Sequence, residues 1–190
     1  MAACNDPIPE TTLLDYWARD LNDAESERLE EHLFACGDCS ERLNQLAAIG
    51  SGLTSLVRQG RLSGIVSRAL LNRLQRDGVH VRMYSLLPGE TVACAVFPGD
   101  DLVVTALRAD FSGVDAVTLS VTGAAGTSIA QFDDVPLPGP GGEVFYVTPA
   151  AVVHEMPSTR LHLTLASAGG SSVELGRYVL EHSASEKSPG

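Results

Sequence analysis

Lysine is nearly missing from this chain. Of 13 basic side chains twelve are arginine and only Lys187 is lysine, against 24 acids and a net charge of −11. Such a balance excludes a general DNA or RNA binder, which needs many cations to displace counterions from phosphate. Aromatic residues make up only 5% of the chain, and no apolar run approaches the ~20 residues of a membrane-spanning helix. The first residues, MAACNDPIPETT, contain neither the basic start nor the apolar stretch of a secretory leader. These absences point to a soluble, cytoplasmic protein whose thiols stay reduced. Cysteine is scarce and uneven: Cys4, Cys36 and Cys39 crowd towards the N-terminus and Cys94 stands alone. That is no disulfide framework; it points to metal or redox chemistry at the N-terminal end. There is no sequence repeat, nucleophilic triad motif, phosphate-cradling loop or pair of catalytic carboxylates, so the expectation is a protein that is not an enzyme.

What is present suits two small globular domains: 190 residues, 44% of them apolar. Charge divides the chain into three. Residues 1–50 carry eleven acids against three bases (net −8), residues 51–78 five arginines against Asp77 (+4), and residues 79–190 twelve acids against five bases (−7). Periodicity changes at the same places. Leu13, Leu14, Trp17 and Leu21 form a helical stripe over Thr11–Leu21, and Asn22 with Glu25 has the spacing of a capping box. Leu29, Leu33 and Cys36 continue a helical face, as do Leu43, Leu46 and Ala47 over Cys39–Ile49. Gly50-Ser51-Gly52 then reads as a stop or hinge. A fourth helix is expected over Arg61–Arg76, with Leu62, Ile65, Val66, Ala69, Leu70 and Leu74 as its stripe and Gly78 as its cap.

From Val79 the period becomes two. Strands are expected over Val79–Tyr84, Thr91–Phe97, Leu102–Ala109, Ala116–Thr122, Val144–Thr148, Val152–Met156, Arg160–Ala166 and Val173–Glu181. Turn-rich breaks separate them, including PLPGPGG at 136–142. Eight short strands in about 100 residues describe an antiparallel β-sandwich, jelly-roll-like in its spacing. The resulting fold class is α+β. A helical domain (1–50) leads to a hinge and amphipathic helix (51–78), a β-sandwich (79–182) and a disordered tail (183–190).

The chemistry sits in His32-x3-Cys36-x2-Cys39. Positions i, i+4 and i+7 lie within about 60° on a helix, so His32 and Cys36 face one way. Cys39 can close on the same ion across the Gly37-Asp38 turn. Imidazole and thiolate together suit Zn²⁺, which prefers four tetrahedral ligands in structural sites. Cys4 is the obvious fourth ligand; its alternative is a spare thiol. The competing account of the motif makes Cys36 and Cys39 small buried residues and His32 a surface side chain. A metal staple is physically sensible here, because three short helices bury little core.

These residues resemble the zinc-binding anti-sigma factor family. The likeness is carried by Leu14-x-Tyr16, Asp20-Leu21, Glu25, Leu29-Glu30-x-His32-Leu33 and Cys36-x2-Cys39. It covers about a quarter of the chain, or roughly two fifths with the fourth helix. Cys4 departs from the pattern, standing slightly further upstream of His32 than is usual in the family. The resemblance implies a small helical bundle that sequesters an extracytoplasmic-function-type sigma factor, 1:1, away from RNA polymerase. It also implies that the 61–76 helix wraps the partner through Leu62, Ile65, Val66, Ala69 and Leu70; plain packing of those residues is the alternative. Some members respond to oxidants, and Cys4, Cys36 and Cys39 would permit that. Others carry a cupin-like barrel with a second metal. His80, His154, His162 and His182 are scattered singly, however, without the H-x-H and Glu pattern of that barrel. His162 falls on the polar face of its strand, and Cys94 reads as a small buried residue. Asp100-Asp101 and Asp133-Asp134 sit at expected turns, with solvation or Ca²⁺ as the two accounts. The β domain is therefore expected to sense a signal or contact a partner. The competitors are a zinc-stabilised module with a non-sigma partner and a cupin-like metalloenzyme.

Overall fold

The computed structural model describes residues 4–138, 142–169 and 172–184. It forms two compact units, Met1–Leu56 with Arg68–Gly78 and Val57–Ser67 with Val79–Gly190.

The first unit is helical. Helix α1 (Glu10–Ala18) ends earlier than its apolar stripe suggests, because Arg19 turns into the left-handed region (φ 58°). The Arg19 N–H then donates to the Tyr16 carbonyl at 2.9 Å. Helix α2 (Asp23–Ala35) begins in the expected capping box: the Asn22 side chain accepts from the Glu25 N–H at 2.9 Å, and Glu25 accepts from the Asn22 N–H at 3.2 Å. Helix α3 (Gly37–Arg58) starts directly after Cys36 and runs 22 residues, so the stop expected at Gly50-Ser51-Gly52 does not occur. Gly50 has a packing role instead. A Cβ built there would lie 2.0 Å from Cζ2 of Trp17, so α3 crosses the indole at a position without a side chain.

The helix expected over Arg61–Arg76 is also corrected. Gly60, at φ 65°, follows α3, and its N–H donates to Val57 O at 2.9 Å. The chain then extends into strand β1 (Gly64–Val66) before helix α4 (Arg68–Arg76). β-Branched Ile65 and Val66 suit a strand better than a helix. Of the proposed partner residues, Ile65 and Val66 are therefore in β1 and Val66 is buried, Leu62 precedes it, and only Ala69 and Leu70 are helical. Helix α4 packs on α1. Leu71 and Leu74 are buried, and the Arg73 guanidinium stacks 5.1 Å from the Trp17 ring centroid while donating to Trp17 O at 3.2 Å.

Among the described residues the second unit holds β1 and eight further strands: β2 (Val81–Leu86), β3 (Thr91–Cys94), β4 (Leu102–Arg108), β5 (Val117–Thr122), β6 (Ser128–Val135), β7 (Glu143–Pro149), β8 (Thr159–Ser167) and β9 (Glu174–His182). They make two sheets, β1-β7-β4-β2 and β3-β9-β8-β5-β6. Leu86, Leu107 and Tyr146 from the first sheet share one core with Leu119, Leu163 and Tyr178 from the second, the arrangement of a sandwich. The sandwich is mainly antiparallel, as expected, with a parallel pair at one edge of each sheet, β2 with β4 and β3 with β9.

The segment Val152–Met156 is not a strand. Pro149 ends β7 and opens a short helix α5 (Ala150–Glu155), since proline cannot donate to a ladder but suits a helix start. Strand β6 has no counterpart among the expected strands. It contains Asp133-Asp134, which places that pair in an edge strand rather than at a turn. Edge strands tolerate such charges on their exposed side. Of the tail expected to be disordered, residues 185–190 lie outside the described residues, as do 139–141 and 170–171 within two expected turns.

Candidate metal centre

Cys36 is the joint between α2 and α3. Its N–H donates to His32 O at 2.9 Å, closing α2, and its carbonyl accepts from the Ser40 N–H at 3.2 Å, opening α3. The Cys36 thiol stands where an N-cap side chain stands. The backbone N–H of Cys39, at the third position of the new helix, hydrogen-bonds to it and is the largest cause of a pKa lowered to about 7. Contacts with Cys4, His32 and Cys39 lower it further, against the effect of burial. The sharp α2–α3 junction thus brings His32, from the last turn of α2, and Cys39, from the first turn of α3, to one point.

Cys4 completes the group. Its backbone N–H donates to Asp38 Oδ2 at 3.1 Å, and the same N-terminal segment is tied again where Arg42 Nη1 donates to Ile8 O at 2.8 Å. Its Sγ lies 3.6 Å from His32 Nε2 and 4.0 Å from Cys39 Sγ. The thiol is pushed up to about 11: the Asp6 N–H lowers it, but contact with Cys36, burial and contact with Cys39 outweigh that. Reading the motif alone misses Asp38 and Arg42. Asp38 offers a weak signal, a carboxylate between two ligands, and Arg42 offers none.

The four donor atoms, Cys4 Sγ, His32 Nε2 or Nδ1, Cys36 Sγ and Cys39 Sγ, all lie within 4.8 Å of one another. Tetrahedral zinc, with Zn–S of about 2.3 Å and Zn–N of about 2.0 Å, has ligand-to-ligand edges of about 3.5–3.8 Å. The observed 3.6 Å matches the S–N edge, and the 4.0 Å between two sulfurs is about 0.2 Å longer than the S–S edge. Three sulfurs and one imidazole nitrogen form the donor set of structural zinc. Four protein ligands leave no open coordination position for a substrate. This site therefore offers a staple rather than a reaction centre.

Among the described residues it is the only group of three or more such side chains close enough to hold an ion. The histidines of the β unit stay apart. His80 is exposed beside Asp101, His154 is exposed on α5, His162 is half-buried on β8, and His182 is buried at the end of β9. Cys94 is buried, as its surroundings of small apolar residues suggested, and burial raises its pKa.

No helix is long and apolar enough to cross a membrane, among the described residues. No curated protein matches the chain. Among solved structures, the chain is similar to the "N-terminal domain of phage TP901-1 ORF48", at 10% identity and a TM-score of 0.33, over 55% of this chain and 99% of that one. Residues 12–40 match a family model described as "Putative zinc-finger". The segment that supplies His32, Cys36 and Cys39 is thus similar to a zinc-finger family, and Cys4 joins the cluster from outside it.

Proposed function

We propose that this chain is a zinc-dependent anti-sigma factor: it sequesters an extracytoplasmic-function-type sigma factor, 1:1, and so represses transcription. The observation that carries the reading is the closed Cys4–His32–Cys36–Cys39 cluster at the α2–α3 junction, within a zinc-finger segment of the kind typical of anti-sigma factors. Zinc held by these four side chains would fix α1, α2 and α3 as a binding surface, without direct contact to nucleic acid. The acidity of residues 1–50, net −8, favours a basic partner. Exposed Phe34 (92%) and Ile49 (63%) supply apolar anchors of the type found at protein interfaces. The β unit acts as the sensor or regulatory module, in the cytoplasm.

Leu62, Ile65, Val66, Ala69 and Leu70 retain a proposed partner-contacting role in altered form. Ile65 and Val66 pair with Tyr146 and Phe145 of β7, so contact through them requires the short strand β1 to leave the sheet edge. Redox control is a further part of the reading. Peroxide would convert two of the clustered thiolates to a disulfide, being reduced to water and releasing the metal.

Co-expression with a sigma factor encoded beside this chain tests the proposal. A stable 1:1 complex that silences sigma-dependent transcription in vitro supports it. Free sigma factor and unaltered transcription overturn it. Peroxide treatment of that complex should release zinc and sigma factor together; a complex that survives zinc release would remove the redox element.

A further inference from the structure

The β unit contains a cavity of about 260 Å³ that the metal centre does not use. Its walls come from both sheets and from α5. Val103 and Tyr146 belong to one sheet, Val121 and Leu180 to the other, and Val153 to the helix. None of these side chains is more than 8% exposed, so the walls are made from the interior of the sandwich rather than its surface.

Strand β6 departs from regular pairing where it meets this cavity. Val121 of β5 pairs with Ala130 and Thr122 pairs with Ser128, which leaves Ile129 as an extra residue, a β-bulge. Consecutive residues of a regular strand point to opposite faces. Ile129 and Ala130 are consecutive, yet both line the cavity, as the bulge permits. Ile129 and Val152 of α5, 53% and 43% exposed, give the opening an apolar rim. Large apolar groups left exposed around a concave opening are a mark of a binding site, and bulges concentrate beside such sites.

The lining is also uncharged. No Asp, Glu, Lys or Arg contributes to it among the described residues, and His182 is its one side chain able to become a cation. A carbonyl only accepts, so His182 Nε2 donates to Met156 O at 3.3 Å, while Nδ1 is buried without a partner. Neither nitrogen is free to receive an anion. An ion entering here loses its water and gains no opposite charge.

We propose that this cavity binds a neutral, hydrocarbon-like small molecule of the alkylbenzene or branched-alkane class, held between the two sheets by apolar contact alone. A cavity of about 150 Å³ holds benzene, so this volume takes roughly ten heavy atoms. Ser63, directly before β1, and Tyr146, the register partner of Ile65, both line the cavity. An occupant therefore lies against the strand whose release the proposed partner contact requires. Occupancy itself is measured without any partner, so it stands or falls independently of the sigma-factor reading.

The test titrates the zinc-loaded full chain with propylbenzene and, separately, with 3-phenylpropanoate, in which a carboxylate replaces the terminal methyl. Propylbenzene is expected to bind within its aqueous solubility, and the carboxylate at least about tenfold more weakly at neutral pH. The ¹³C-methyl resonances of Val121, Val153 and Leu180 should shift with propylbenzene, while those of Leu13 and Leu29 in the helical unit stay in place. Ala130→Leu, which fills the cavity from β6, should weaken propylbenzene at least about tenfold and leave zinc content at its original value. The proposal is overturned if propylbenzene does not bind up to its solubility limit, if the carboxylate binds as tightly, if the shifted methyls lie elsewhere, or if Ala130→Leu binds as before. The NMR readout needs no substitution, so a variant that misfolds does not shield the proposal.

Discussion

At position 50 the helix α3 backbone meets the edge of the Trp17 indole so closely that a single methyl group would stand 2.0 Å from it. Alanine is the better helix former by about 1 kcal/mol, but overpacking a core costs about 1–3 kcal/mol. Gly50→Ala is therefore expected to lower the unfolding free energy of the helical unit by up to about 2 kcal/mol, read by urea denaturation followed through Trp17 fluorescence. An unchanged midpoint would mean that the indole moves freely. Asp100 is decisive in the β unit. Its carboxylate accepts from Arg82 Nε at 2.6 Å and Nη2 at 3.2 Å and from the Phe97 N–H at 2.8 Å, and the arginine is the first cause of its pKa lying below the usual 3.8. A folded-state value below the unfolded one makes the ionised group stabilising. That contribution is complete above the unfolded value and lost as pH falls through the folded one. Asp100→Asn should thus be less stable at neutral pH, and its stability should change less than the parent's between about pH 5 and about pH 2. Parallel pH profiles for the two proteins would contradict this assignment.

Among the elements, the α2–α3 junction matters most. Four donors meet there because one residue, Cys36, ends one helix and begins the next. Metal analysis should find one zinc per chain, lost in Cys36→Ser/Cys39→Ser together with helical signal, while the strands of the β unit persist. Zinc-finger sites contribute about 10–16 kcal/mol over four ligands, so one ligand is worth about 3 kcal/mol, or roughly a hundredfold in affinity. Cys4→Ser should weaken zinc by that order in a competition titration with a chromophoric chelator; unchanged affinity would exclude Cys4 as a ligand. Strand β1 carries the opposite lesson. Leu62, Ile65, Val66, Ala69 and Leu70 satisfy a helical period, yet Gly60 ends α3 and β7 captures Ile65 and Val66. A short apolar run is ambiguous between helix and strand, and the available edge of β7 resolved it.

For the whole molecule, the −11 charge is distributed between an acidic N-terminal segment, an arginine-containing middle and an acidic β region. The arginines of the middle are partly consumed internally: Arg73 pairs with Asp77, and Arg76 with Asp20. The apolar side chain of Phe34 is not consumed in this way, being 92% exposed. Phe34→Ser should leave zinc content and thermal stability unchanged and, under the proposed function, weaken binding of the sigma factor at least tenfold, as removal of an apolar anchor does. A variant that binds as before would place the partner on another face.

Whatever depends on local rules was already legible along the chain. The Asn22–Glu25 capping box, the His32-x3-Cys36-x2-Cys39 donor set and the alternation of β5 and β9 follow from caps, ligand chemistry and side-chain period. Residue order is silent where distant segments compete for the same partner. Folding in three dimensions brought Cys4 to Asp38, carried α3 past the edge of Trp17 at Gly50, turned Val152–Glu155 into helix after Pro149, paired β2 with β4 and β3 with β9 in parallel, and left His182 Nδ1 without a donor. The reason is common to all five. Each is decided by which groups become neighbours after collapse, through van der Waals clearance and hydrogen-bond satisfaction, and neither is written in the spacing of residues along the chain.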